Sequence, residues 1–186
     1  MTKPGVVLLA AGKSQRFRAA TGRHKLLETL KNSSLTVFEQ SLENIQRSEL
    51  DIQVVLRPED VMLQDFCQRA AVPYLCLESE GMGDSIAAGV RARADWSGWI
   101  IALADMPFIK PEIFVAVAQS VQQGQCARPV YRGQVGHPVG FPLTMRHPLG
   151  ALCGDEGARG LLKAHPPWLI ETQHAGCLWD IDVPQI

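Results

Sequence analysis

Four short apolar segments, rich in Val, Ile and Leu, alternate with stretches of helical periodicity. The segments cover residues 6–9, 52–56, 74–77 and 99–103, and each has the length of a buried β-strand. Strands that alternate with helices form a mostly parallel sheet, because each helix carries the chain back to start the next parallel strand. The sequence therefore predicts an α/β fold in which ligands bind beyond the carboxyl ends of the strands.

The predicted helices carry recognisable start and stop signals. Thr36 followed by Glu39 forms a capping box, and Val37, Phe38 and Leu42 then fall on one apolar face. A proline in the first turn and a glycine past the end mark another helix, because proline fits the first turn of a helix and glycine can adopt the backbone conformation that ends one. Further helices are predicted over residues 58–69, from Asp84 or Ser85 onward, from Pro111 to Gly124, and over residues 157–164.

The last third of the chain has a different texture. Residues 126–141 are rich in Gly and Pro and suggest an antiparallel excursion from the sheet. The chain has 186 residues and 46% hydrophobic content, which suits one core rather than two. We therefore predict a single domain, residues 1–186, with the last third inserted on it.

Composition narrows the classes of function. The net charge is -1 and charged residues make up 20% of the chain, so no basic face for nucleic acid or anionic membrane is expected. No apolar run has the length of a membrane-spanning helix or the pattern of a signal peptide, which makes the cytoplasm the expected location. Five widely spaced cysteines predict reduced structural thiols rather than disulfides or a zinc site.

A loop of small residues follows the first predicted strand. Small side chains allow backbone N–H groups to approach a ligand closely, and the cations beside the loop suit a triphosphate. Arg16 and Lys13 supply positive charge within the segment, and Lys25 adds another cation nearby. The predicted nucleotide-binding residues of this loop are Leu9, Ala10, Ala11, Gly12, Lys13 and Ser14.

Two common phosphate-binding motifs do not fit this loop. Gly12-Lys13-Ser14 spells the end of a P-loop, but the motif needs a glycine five residues before Gly12, where Val7 lies inside the strand. The dinucleotide fingerprint G-x-G-x-x-G also fails, because Phe17 stands where a glycine is required. An ordinary glycine turn with solvated cations remains the structural alternative.

Carboxylates follow the fourth predicted strand and lie near the C-terminus. Asp105 comes directly after residues 99–103 and should emerge beside the first loop, where a carboxylate can hold Mg²⁺ against phosphate oxygens. Asp180 and Asp182 share one side of an extended segment, so one of them is a candidate second magnesium ligand. A turn aspartate and a solvated edge are the structural alternatives.

Glycine-rich turns supply the remaining candidates. The turn that contains Gly81, Met82, Gly83 and Ser85 lies between the third strand and its helix, where tight backbone and an N-cap hydroxyl could hold a base or ribose. His137, Asp155 and Arg159 stand in two further glycine-containing segments and suggest a wall that recognises an anionic acceptor. Capping alone could explain Ser85, and His137 could be a structural histidine.

The motifs together resemble the molybdenum cofactor nucleotidyltransferases, the MobA-like NTP transferase family that includes cytidylyltransferases and guanylyltransferases. The resemblance covers nearly the whole chain, with motifs in the right order. Residues 9–16 resemble the family's LAAGxSxR loop, and Lys25 resembles its signature lysine. Residues 81–85 resemble the family's GMGxS turn, and residues 104–107 resemble its ADMP motif. Residues 136–139 resemble the GHPV motif, residues 154–159 the GDxGAR motif, and residues 180–184 the terminal DIDTP motif. Arg18 stands where the family often has glycine, residues 18–24 form a longer stretch than usual, and Val183 replaces the common threonine.

The resemblance implies a single three-layer Rossmann-like domain, with a mostly parallel sheet that contains one antiparallel strand. It implies Mg²⁺-dependent transfer of CMP from CTP to the phosphate of molybdopterin, with release of pyrophosphate, and a molybdoenzyme or its chaperone as recipient. The implied catalytic residues are Arg16, Lys25 and Asp105, with Asp105 and Asp182 as metal ligands and His137, Asp155 and Arg159 at the acceptor. Guanylyl or other nucleotidyl transfer to a different phosphate acceptor, and a non-catalytic nucleotide-binding chaperone, remain open.

Overall fold

The computed structural model describes residues 2–182, apart from the side chain of Arg16. The strands of these residues form one sheet of eight. The strands are β1 (Gly5–Leu9), β2 (Ile52–Leu56), β3 (Tyr74–Cys76), β4 (Gly98–Leu103), β5 (Ala127–Tyr131), β6 (Gln134–Val135), β7 (Val139–Pro142) and β8 (Trp168–Glu171). The α-helices are α1 (Gln15–Thr21), α2 (Val37–Gln46), α3 (Val61–Arg69), α4 (Met82–Ala92), α5 (Pro111–Gln122), α6 (Arg146–Gly150) and α7 (Arg159–Ala164).

The sheet is mostly parallel, as predicted. Strands β3, β2, β1 and β4 lie side by side in parallel, β7 pairs antiparallel with β4, and β5 pairs antiparallel with β7. Strand β8 runs parallel to β5 at the edge. The two-residue strand β6 pairs antiparallel with β5, because residues 132–133 turn the chain back, and β6 and β7 are the antiparallel members of the sheet.

Helices cover both faces of the sheet. Val6 and Leu8 of β1 point into a core that contains residues of α2, α3 and α5, whereas Val7 and Leu9 point into a second core with residues of α4 and α6. Successive side chains of a strand face opposite sides, so one buried strand serves two cores. The architecture is therefore the predicted three-layer arrangement.

The predicted helix boundaries hold in part. The capping box at Thr36 and Glu39 forms, and the helix that begins at Pro111 ends just before Gly124. Helix α3 starts three residues later than predicted, because residues 57–60 make a turn in which the Asp60 N–H donates to the Arg57 carbonyl at 3.2 Å. The strand β8 and the short helices α1 and α6 were absent from the sequence-based prediction.

Helix α4 starts earlier than the prediction of Asp84 or Ser85. The Asp84 carboxylate lies in the first turn and reaches back to accept hydrogen bonds from the N–H groups of Glu80 and Gly81, at 3.1 and 3.2 Å. A carboxylate in this position satisfies free N–H groups as well as a residue before the helix would. Ser85 therefore lies inside the helix and is not an N-cap.

The last third adds strands β5 to β8 to the same sheet.

All five cysteines are free thiols, and burial together with nearby Cys76 raises the pKa of Cys67 to about 12. Among residues 2–182, no helix is long and apolar enough to cross a membrane.

Candidate active site

A cavity of about 700 Å³ opens beyond the carboxyl ends of the central strands. Leu9 at the end of β1 pairs with Leu103 at the end of β4, so the segments that follow both strands begin at the same edge. Of the predicted site residues, those that line the cavity are Leu9, Ala10, Ala11, Gly12, Lys13, Ser14, Lys25, Gly81, Met82, Ser85, Asp105, Asp155 and Asp182. The topology thus brings together residues from six separate parts of the sequence.

Lys25 forms the central charge contact of the cavity. It begins a 3₁₀ turn, Lys25–Leu27, and its Nζ lies 2.6 Å from Asp105 Oδ2 and 3.5 Å from Asp182 Oδ1. Burial on its own would lower the pKa of the ammonium group, but the attraction and hydrogen bonds of the two carboxylates outweigh burial, and the pKa is raised. Lys25 is therefore a permanent cation in the cavity lining.

Three carboxylates gather beside Lys25. Oxygens of Asp105, Asp180 and Asp182 all lie within 4.8 Å of one another. The N–H of Ile181 donates to the Asp105 carbonyl at 2.9 Å, which ties the C-terminal segment to the segment after β4. Burial, followed by repulsion from Asp182, raises the pKa of the Asp180 carboxyl group. Clustered oxygen ligands of this kind suit a divalent cation.

The structure thus places Asp180 in the acidic cluster together with the two predicted ligands, Asp105 and Asp182. Mutual repulsion of the three carboxylates is only partly offset by Lys25, which carries a single positive charge. A bound divalent cation would complete the neutralisation. Val183 and Pro184, the end of the predicted C-terminal motif, lie outside the described residues.

Gly81 forms a close backbone contact at the far wall of the cavity. A Cβ atom at Gly81 would lie 2.3 Å from the carbonyl carbon and oxygen of Gly154 and 2.4 Å from the nitrogen of Asp155, so only glycine fits. Gly83 donates its N–H to the Gly154 carbonyl at 2.8 Å, and Gly154 donates to Asp84 Oδ1 at 3.0 Å. The contact fixes Asp155, which lines the cavity, against the start of α4.

Ser85 contributes to this wall through a second serine. Its buried hydroxyl donates to Ser79 Oγ at 2.9 Å, and Ser79 Oγ in turn donates to the Gly81 carbonyl. The hydroxyl therefore shapes the turn before α4 instead of capping the helix. Ser79 lines the cavity and was not predicted from the sequence.

The other predicted acceptor residues lie apart from the cavity lining. His137 donates its backbone N–H to the Cys177 carbonyl at 2.9 Å, and burial, then repulsion by Arg128, lowers the pKa of its imidazole to about 4 despite the attraction of Asp105. Arg159 is exposed at the start of α7. Roles for both at the acceptor stay predictions, and His137 is neutral at pH 7.

Two further predicted residues, Gly83 and Arg16, lie in the first turns of helices α4 and α1. Gly83 is buried, and a Cβ atom there would lie 2.7 Å from the Cys153 carbonyl oxygen, so its role is close packing beneath the turn. Arg16 lies in the first turn of α1, next to the cavity-lining residue Gln15. Its assignment to the triphosphate stays a prediction.

Arg57 joins two cavity-lining residues and is not marked by the sequence motifs. It follows β2, and its Nη1 donates to the Ser79 carbonyl at 2.9 Å and to the Ala11 carbonyl at 3.4 Å. Its Nε donates to Glu59 Oε1 at 2.6 Å, which orients the guanidinium group. One side chain therefore joins the loop after β1 to the segment before α4. An arginine directly after a buried strand was the available signal.

The fold matches that of several solved structures, one of which is described as a nucleotidyl transferase. The structure superposes on the Mycobacterium tuberculosis protein Rv0371c with a TM-score of 0.84 and 22% identity, over 98% of this chain and 93% of the other. It superposes on a nucleotidyl transferase from Methanothermobacter with a TM-score of 0.81 and 19% identity, over 97% and 92% of the two chains. A further structure of Rv0371c, described as a complex with manganese, matches with a TM-score of 0.74 and 20% identity, over 92% and 88%.

Sequence comparisons agree with the structural ones. The purine catabolism protein PucB of Bacillus subtilis is 32% identical over 195 residues, which cover 96% of this chain and 91% of PucB. The model of the MobA-like NTP transferase domain matches residues 6–168. The match spans most of the chain, including β1, the segment after β4 and the turn before α4. The chain therefore belongs to the MobA-like NTP transferase family.

Proposed function

We propose that the protein transfers CMP from CTP to the phosphate of a molybdopterin-type cofactor and releases pyrophosphate. The observation that carries the proposal is the contact of Lys25 with Asp105 and Asp182 inside a cavity bounded by the small-residue loop after β1. A cation, clustered carboxylates and free backbone N–H groups are what a nucleoside triphosphate and a divalent ion require. The family assignment supports nucleotidyl transfer as the general reaction.

The acidic cluster fits a divalent ion. Three carboxylates with oxygens within 4.8 Å of one another are hard ligands held close together, and Asp182 and Asp180 are exposed to incoming solvent and substrate. We assign Asp105 and Asp182 to Mg²⁺, with Asp180 as a further candidate ligand. When bound, Mg²⁺ would supply Lewis-acid neutralisation of the phosphate charge.

The chain's own residues align the substrates and stabilise charge. An oxygen of the acceptor phosphate attacks the α-phosphorus of CTP, a new P–O bond forms, and the bond from the α-phosphorus to the bridging oxygen breaks as pyrophosphate leaves. Lys25 and Arg16 stabilise the negative charge that develops on the leaving group, and no protein nucleophile is needed. Backbone N–H groups of residues 11–14 cradle the phosphates, aided by the left-handed backbone of Ser14, whose φ is 49°.

In this proposal the base and the acceptor lie against adjoining parts of one wall, because Gly81 packs directly against Gly154 and Asp155. Gly81, Met82 and Ser85 form the part for base or ribose, and Asp155 begins the part for the acceptor. His137 has a neutral imidazole at pH 7, so it would contact the acceptor through a hydrogen bond rather than a positive charge. Arg159 is left as the cation of the acceptor wall.

Selectivity for CTP is proposed to arise from Ala10 and Ala11. Both alanines belong to the loop that lines the cavity, and glycine at either position would remove a methyl group from this loop. A purine is larger than a pyrimidine, and discrimination of this kind can reach roughly 10²-fold. Ala11→Gly is expected to shift preference toward GTP, alone or with a second change in the turn before α4.

The test measures pyrophosphate release with each of the four NTPs, Mg²⁺ and molybdopterin as acceptor. We expect release to depend on the acceptor and to be fastest with CTP, and to fall in Lys25→Ala and Arg16→Ala without loss of acceptor affinity. Nucleotide binding without release would support the non-catalytic chaperone. A kcat/KM ratio of CTP over GTP at or below one would reject the cytidylyl assignment and leave nucleotidyl transfer standing.

The recipient of the product is proposed from the relative in Bacillus subtilis. That protein is named for purine catabolism, and it matches 96% of this chain. We therefore propose a molybdoenzyme of purine breakdown, or its chaperone, as the partner that accepts the nucleotide form of the cofactor.

A further inference from the structure

Asp60 precedes α3 but does not cap it. An aspartate in this position usually accepts hydrogen bonds from the first N–H groups of its helix, and here none forms. The side chain is only 6% exposed, and its Oδ1 lies 3.4 Å from His24 Nε2 and 3.6 Å from Arg18 Nη2. Burial of a carboxylate costs free energy unless partners compensate, so these contacts point to a role beyond α3.

His24 connects Asp60 to the turn that carries Lys25. Its Nδ1 accepts a hydrogen bond from the N–H of Leu26 at 3.2 Å, so the imidazole proton lies on Nε2, which faces Asp60. The His24 side chain is 8% exposed and cannot exchange these contacts for water. One ring nitrogen of His24 therefore faces the Leu26 N–H, and the other faces the Asp60 carboxylate.

We propose that Asp60, acting through His24, is a positioning residue for Lys25. Lys25 stands between His24 and Leu26, so a bond that joins the two neighbours fixes its backbone and the direction of its side chain. The Nζ of Lys25 reaches Asp105 Oδ2 at 2.6 Å from this position. A misplacement of about 1 Å in an active site can cost about 10²-fold in rate. The rate effect rests on the proposed nucleotidyl transfer.

The contact between His24 and Asp60 can become shorter. Within residues 2–182, neither His24 Nε2 nor Asp60 Oδ2 has a hydrogen-bond partner. Hydrogen bonds in ligand-free active sites are often long and shorten when substrate binds. Binding of the triphosphate at Lys25 would draw the turn inward and bring Nε2–H onto the carboxylate.

The first experiment is a double-mutant cycle in pyrophosphate release. Asp60→Ala is expected to lower kcat about tenfold, with Asp65→Ala as the control, because Asp65 is an exposed aspartate of the same helix. In the background of Lys25→Ala, Asp60→Ala should change kcat by less than about twofold, since the residue through which it acts is gone. Effects that multiply in full would overturn the proposal.

The second experiment does not depend on turnover. Hydrogen exchange of the Leu26 amide is expected to be about tenfold faster in Asp60→Ala and in His24→Ala, and unchanged in Asp65→Ala. Asp60→Asn keeps the shape and an oxygen acceptor, so it covers a failure of Asp60→Ala to fold and should retain protection. Equal exchange in wild type, Asp60→Ala and His24→Ala would reject the positioning role. If the wild type releases no pyrophosphate with any NTP, the proposed function fails, and Leu26 exchange decides this inference alone.

Discussion

His137 makes folding stability depend on pH in a predictable direction. Its pKa is lowered to about 4, so the folded protein resists a proton that the unfolded chain accepts as the pH falls through about 6.5. The contribution of the neutral imidazole to stability is complete above pH 6.5 and is lost as the pH falls toward 4. The full difference corresponds to about 3 kcal/mol, and between pH 7 and pH 4.5 the loss is about 2 kcal/mol.

The substitution His137→Gln removes the titrating group and keeps an amide of similar size. We expect urea unfolding at pH 7 and pH 4.5, in the presence of a chelator, to show about 2 kcal/mol less pH dependence in this variant than in wild type. His165→Gln is the control, because His165 is exposed on the surface. Identical pH dependence of the unfolding free energy in wild type and His137→Gln would refute the claim that the buried His137 imidazole causes the loss of stability at low pH.

Three further predictions concern the walls of the cavity. Asp105→Asn keeps the shape but removes the charge beside Lys25, and we expect turnover to fall by about 10²–10⁴, measured by pyrophosphate release over a Mg²⁺ titration; near-normal Mg²⁺-dependent turnover would contradict the metal assignment. Arg57→Lys cannot reach both carbonyl groups, so the KM for NTP should rise about tenfold, with Arg69→Lys on α3 as the exposed control; an unchanged KM would mean that the two loops hold each other without it. Gly81→Ala forces backbone atoms apart, so it should lower the free energy of unfolding by about 1–3 kcal/mol in a thermal unfolding experiment. The control is Gly160→Ala, whose new Cβ meets nothing within 4 Å and should leave stability unchanged or raised. Equal stability of the two variants would show that the backbone around Gly81 can move to accommodate a methyl group.

The sequence predicts the cavity lining well because of the parallel sheet. Leu9 and Leu103 end neighbouring strands, and the carboxyl ends of parallel strands meet at one edge, so residues that follow them must lie close together. Short strands and capping residues carry local signals of their own. The strand pattern and the capping box at Thr36 were therefore accessible without the structure.

The misplaced and missed residues have three physical causes. Asp84 and Ser85 looked like helix starts because acidic and hydroxyl side chains cap helices, but a carboxylate in the first turn can reach back, and the sequence does not say in which direction it acts. Arg57 and Asp60 act on carbonyl and imidazole groups more than twenty residues away, and such contacts have no local signature. Strand β8 is four residues long at the sheet edge, where periodicity is too short to read.

The grouping of Asp180 with Asp105 also required the fold. Asp180 and Asp182 lie on the same side of an extended segment, but alternation along the chain could not say whether that side faces the segment after β4. The bond from the Ile181 N–H to the Asp105 carbonyl holds the segment so that both carboxylates approach Asp105. A backbone contact between Asp105 and Ile181, which are distant in the sequence, therefore determines the composition of the acidic cluster.

The central claim is that the nucleotidyl group moves to the acceptor by attack at the α-phosphorus. The direct test incubates the protein, Mg²⁺ and molybdopterin with CTP labelled on the α-phosphate and, in parallel, with CTP labelled on the γ-phosphate. We predict that α-label enters the cofactor product and γ-label leaves entirely as pyrophosphate, and that both changes are lost in Asp105→Asn. Transfer of γ-label to the cofactor, or release of α-label as free CMP without a cofactor product, would contradict this account.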